Sequence, residues 1–79
     1  MSELAKAGAV RMYLEISKSV KKLDATALQL LVHPEATDEQ ILAMRDIVRN
    51  AHETLQEAEA NLRKAGLWHR IERGWAYVR

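Results

Sequence analysis

The residues able to do chemistry are few and scattered. His33, His52 and His69 stand far apart in the sequence, and there is no cysteine. A structural zinc site needs a tetrahedral set of thiolates and imidazoles, so this content points away from one. His69 and Glu72 sit one helical turn apart. Two surface ligands without a third read as solvated side chains, not a metal pair. Ser2, Ser17 and Ser19 lack the glycine-flanked setting of a nucleophile elbow. The glycines are isolated, so no phosphate-cradling loop is encoded. Glu57 and Glu59 are two apart and diverge on a helix, which excludes a paired general acid and base. The reading is of a protein that is not an enzyme, with no cofactor, no metal and no small-molecule substrate.

What remains distinctive is the last stretch, GLWHRIERGWAYVR, residues 66–79, where both tryptophans and one of the two tyrosines alternate with arginine. Aromatic and arginine side chains dominate interface energetics. Trp68, Arg70, Arg73, Trp75, Tyr77 and Arg79 are therefore the candidate partner-binding residues. The charge along the chain is uneven. Residues 1–34 hold five basic and three acidic side chains, residues 35–59 two and seven, and residues 60–79 five and one. A basic first helix beside an acidic later one accounts for most of this pattern, and the basic end suits an acidic partner. Lys18, Lys21 and Lys22 form a small basic cluster within the first helix. The three methionines read as core filler.

The elements that carry these residues follow from periodicity. Over residues 3–22, Val10, Met12, Tyr13, Ile16, Val20 and Leu23 share one arc, with Arg11, Glu15, Lys18 and Lys22 opposite, the pattern of a surface helix. Asp24 is placed to cap a second, short helix, with Leu23 and Leu28 at the spacing of a hydrophobic staple. Pro34 disfavours helical geometry at His33 and ends that segment. The third element opens on TDEQ, a capping box from Thr37 to Gln40, with Asp38 and Glu39 where the helix dipole favours negative charge. Ile41, Met44, Val48, Ala51, Leu55, Ala58, Leu62 and Ala65 then recur in alternating steps of three and four. That heptad seam, ended by Gly66, predicts one long helix over residues 38–65 and a surface for self-association.

The tail admits two structures. As a helix it gathers Leu67, Trp68, Ile71, Trp75 and Val78 on one side. As a β-hairpin turning on Arg73 and Gly74 it pairs Arg70 with Tyr77 and Trp68 with Arg79. The segment TLQEAEANLRKAGLWHRIERGWAYVR resembles the end of a winged helix-turn-helix domain of the GntR or MarR kind. Thr54, Leu55, Ala58, Leu62, Ala65, Gly66 and Leu67 fall in the places of its recognition helix, and Arg70, Arg73 and Gly74 in those of its wing. Residues 27–41 likewise resemble its first helix junction. The resemblance implies a β-hairpin at the tail, a break in the long helix near Asn50 and binding to duplex DNA. Against groove entry stand Glu53, Glu57 and Glu59, which phosphates repel.

The sequence therefore predicts one mainly α domain over residues 1–79. It has one long heptad-patterned helix and a C-terminal element that is a short hairpin or a last amphipathic helix. So small a core is marginal without disulfides, which favours a homodimer. Met1 is followed by SELAKAGAV, without the apolar run of a signal peptide, and the longest apolar run, LQLLV, is too short for a bilayer. The expected protein is cytoplasmic and regulatory. It binds a larger protein partner and masks it, and a winged-helix DNA-binding regulator is the alternative.

Overall fold

The computed structural model describes residues 2–78, with side chains through residue 73. It holds three helices: α1 (Glu3–Val32), α2 (Asp38–Lys64) and α3 (Trp68–Val78), with no strand among the described residues. The first two form an antiparallel hairpin, and α3 folds back over its open end. None of these helices is long and apolar enough to cross a membrane.

One expectation is corrected at once. α1 does not stop near Lys22 and restart behind an Asp24 cap; it runs unbroken for 30 residues. Ala25, Ala27, Leu28, Gln29, Leu30 and Leu31 are mostly strong helix formers, and neither Gly nor Pro intervenes. The Asp24 carboxylate is also engaged elsewhere. Its Oδ1 lies 2.9 Å from Nε2 of His52, a contact between α1 and α2. Ser2 starts the helix, its hydroxyl accepting from the Ala5 N–H at 3.1 Å. At the other end His33 is extended (φ −75°, ψ 126°), as a residue before proline prefers. His33 then folds the connector, its Nδ1 accepting from the Glu35 N–H at 3.1 Å.

The capping box forms as expected. Thr37 Oγ1 accepts from the Gln40 N–H at 3.2 Å, and Gln40 Oε1 accepts from the Thr37 N–H at 3.1 Å. Thr37→Ala removes one of these bonds and strands a first-turn donor. It should cost about 1 kcal/mol, read as a drop of several degrees in the unfolding midpoint followed by circular dichroism.

α2 is continuous through Asn50, whose carbonyl accepts from the Thr54 hydroxyl at 3.0 Å. Its end is a Schellman turn. Gly66 takes the left-handed conformation (φ 73°), the Gly66 N–H donates to the Arg63 carbonyl at 3.1 Å, and the Leu67 N–H donates to the Leu62 carbonyl at 2.8 Å. This turn decides the tail. It buries Leu67, and from there only a helical period puts Trp68 and Ile71 onto the same core. The tail is accordingly the helix α3, and the hairpin at Arg73 and Gly74 is not formed.

The core is small and lies at one end. Tyr13, Leu62, Leu67 and Ile71 form its centre, with Ala9, Val10, Leu55, Ala58 and Trp68 packed around them. Val20 and Ser17 are also buried between the long helices. The molecule measures 49 × 24 × 16 Å with a radius of gyration of 15.7 Å. A compact chain of this length would have a radius near about 12 Å. The hairpin outruns the short helix meant to cover it.

Candidate interaction surface

The polar residues do not converge. His33 lies in the connector, His52 pairs with Asp24 on the hairpin, and His69 is exposed on α3. No group of three His, Cys, Asp or Glu side chains among the described residues is placed to hold a metal ion. The His52–Asp24 pair is nearly half exposed on both sides, so its energetic worth is that of a surface contact.

Of the six candidate partner residues, the structure turns Trp68 inward. Its ring meets Tyr13 edge-on, with centroids 5.3 Å apart at 83°, and the Arg63 guanidinium sits 4.5 Å above it. Arg63 is held there by Glu59 at 3.6 Å. Arg70 faces Glu3 of α1 at 3.7 Å, and Arg73 is exposed. Trp75, Tyr77 and Arg79 lie outside the residues whose side chains are described.

Among the described residues, Tyr13 is the group whose ionisation is clearly displaced. Burial raises its pKa above 10.0, the Glu59 carboxylate pushes it further up, and Arg63 pulls it back. The folded state therefore resists tyrosinate formation that the unfolded chain allows. Stability from this group is intact below pH 10 and is lost as pH climbs through the folded value. Tyr13→Phe should flatten the alkaline fall in stability above pH 10, measured as midpoint against pH.

The heptad seam of α2 faces α1 of the same chain. Leu62 is buried, Ile41, Met44, Val48, Ala51, Leu55 and Ala58 are half-buried, and Ala65 is exposed. The answering row on α1 is Val10, Tyr13, Ser17, Val20, Asp24, Ala27 and Leu31, again in steps of three and four. The apolar arc read from the sequence holds Val10, Tyr13 and Val20 of this row but not Ser17 and Asp24, which are polar. Beside it, one residue out of phase, runs a second row: Ala9, Met12, Ile16, Ser19, Leu23, Thr26 and Leu30. Met12, Ile16 and Leu23 of this row belong to the same apolar arc in the sequence, which does not separate the two rows.

The uncovered surface is apolar on both sides of the hairpin. On one side a cleft of about 310 Å³ lies between Met12, Ile16 and Leu23 of α1 and Ala51 and Thr54 of α2. It continues into a second of about 150 Å³, where Met12 and Ala9 face Ala58, Asn61 and Ala65. A third cleft of about 350 Å³, among Ala27, Leu31, Ile41, Arg45 and Val48, occupies the connector half of the hairpin. Leu28, Leu31, Val32, Leu42 and Ile47 stand exposed in that half too. Comparison with family models, curated proteins and solved structures found nothing that matches this chain, so its role is read from this surface alone.

Proposed function

We propose that this chain is a non-enzymatic regulatory protein that acts by protein–protein contact. It pairs with a second copy of itself and uses its basic α3 end to mask an acidic surface on a larger partner. The observation that carries the reading is area. The chain exposes 6312 Å². A compact monomer of 9.0 kDa exposes about 4,850 Å², leaving roughly 1,500 Å² in excess. Leu4, Met12, Leu14, Leu28, Leu31, Val32, Leu42 and Ile47 are all exposed, and apolar surface of this kind suits a protein interface. The charge of residues 60–79, five basic against one acidic, sets the sign of the masked surface.

Sedimentation velocity from micromolar to millimolar protein tests the self-association. The expected species has twice the 9.0 kDa chain mass. A monomer throughout that range overturns the reading. Titration of labelled duplex DNA at 50 and 200 mM salt is the companion measurement. Tight binding that falls steeply with salt would replace masking with DNA recognition.

A further inference from the structure

Two residues at equivalent places on α1 differ sharply in burial. Tyr13 and Leu31 are 18 residues apart, five whole helical turns, so both point toward α2. Tyr13 is 8% exposed and Leu31 is 60% exposed. On α2, Leu62 and Met44 have the same spacing and repeat the contrast, one buried and the other half-buried. The difference is α3, which roofs the first member of each pair and does not reach the second.

α3 lies on one side of the hairpin. It meets Glu3 through Arg70, Arg63 through Trp68, and Val10 at the edge of the core. Five turns toward the connector, the same side carries Lys21, Arg45 and Leu28 in the corresponding places. Arg45 lines the cleft of about 350 Å³ with Ala27, Leu31, Ile41 and Val48. This cleft is therefore the bare continuation of the surface that α3 covers, displaced roughly 27 Å along the hairpin. The clefts at Met12 open on the opposite side.

We propose that a second copy of this chain covers the bare half, the two copies lying face to face and turned end for end. This rests on the self-association reading above and names its surface and orientation. Shape favours it first. A two-fold axis crossing the helices lays bare half on bare half, with each α3 beside the connector of the other copy. An axis running along the helices keeps every height unchanged and drives α3 into α3.

Charge agrees at the level of whole ends, whichever way single side chains point. The connector end, residues 23–44, holds four carboxylates and no Lys or Arg. The open end, residues 1–15 with 59–73, holds six Lys or Arg against four carboxylates. Turning end for end sets each acidic connector beside the basic end of the other copy, and the same-end arrangement sets like beside like. Arg45 is the charged residue of the cleft lining, and Asp46 stands 3.8 Å from it. The area also agrees. A standard interface takes about 800 Å² from each chain, within the surplus of roughly 1,500 Å². Arg73, two residues past buried Ile71, is on the far side of α3 and stays open for the larger partner.

The test is sedimentation equilibrium of the full chain, with helicity followed by circular dichroism. Leu28→Glu should weaken the dimer at least about tenfold, because it sets a charge in the covered half. Leu28 is 63% exposed in the single chain, so its own fold tolerates the change. Met12→Glu places the same charge on the opposite side and should leave association unchanged. Orientation is read separately, by pulsed electron resonance between spin labels on the Lys64→Cys variant, since the chain has no cysteine of its own. Those labels should stand roughly 50 Å apart in the dimer, twice the helical rise from Lys64 to Val48. A dimer broken by Met12→Glu and spared by Leu28→Glu overturns this surface while self-association stands. A short distance between the Lys64→Cys labels overturns the end-for-end arrangement. A wild-type chain that stays monomeric overturns the underlying reading itself.

Discussion

Leu62→Ala should destabilise the fold by about 2–5 kcal/mol, with the unfolding midpoint falling by at least about 10 °C. Leu62 is 2% exposed and is the residue on which all three helices close. Its side chain meets Tyr13 of α1 and Leu67 and Ile71 of the α3 end, while its carbonyl takes the Leu67 N–H in the Schellman turn. Truncation leaves a cavity that helix backbones on three sides cannot collapse into. A small domain has about 5–15 kcal/mol in total, so this single change consumes a large share. The measurement is thermal denaturation at fixed protein concentration, because the proposed self-association would make the midpoint concentration-dependent. Leu4→Ala is the control: Leu4 is 85% exposed and its truncation should fall within about 0.5 kcal/mol. A loss below about 1 kcal/mol for Leu62→Ala would mean that α3 is not docked on the hairpin.

Trp68→Ala is the second large effect, about 2–4 kcal/mol. The ring loses its edge-on contact with Tyr13 and its place under the Arg63 guanidinium, and the half-buried surface it covers is opened. Trp68→Phe keeps most of the aromatic contact and should retain the greater part of the stability. The pair of variants separates two roles for the residue. If the stability loss is as large as stated, Trp68 is an anchor of the fold and the proposed masking contact would fall to exposed groups such as Arg73. If Trp68→Ala is as stable as wild type while binding to an acidic partner is lost, the ring serves the interface instead.

Much of the fold is legible in the chain because it is specified locally. TDEQ carries both halves of its capping box within four residues, so the start of α2 needs nothing from the rest of the molecule. Gly66 ends α2 for an equally local reason, a left-handed backbone that residues with a Cβ resist. The three-four spacing from Ile41 to Ala65 declares a helix of that length whatever lies beside it. Asp24 shows the limit. Its residue type favours a cap, but helix formers on both sides carry α1 through it, and its carboxylate meets His52, 28 positions away, across the hairpin.

The tail shows the same limit more sharply. Residues 66–79 satisfy a strand pattern and a helix pattern about equally, since aromatic and β-branched residues alternate with arginine at spacings that serve both. The choice is made by the turn at Gly66, which aims Leu67 at Leu62 and leaves the helix as the conformation that buries Ile71 as well. Trp68 follows from that choice, turned toward Tyr13 instead of outward with the arginines. What this sequence by itself determines is where helices begin and end and which of their faces are apolar. Tertiary structure decides which apolar face is used first. α2 spends its seam on its own α1, α3 covers one end, and the row from Met12 to Leu30 is left open. Periodicity marks a face for burial, but only the number and length of the neighbouring helices determine whether one chain is enough to bury it.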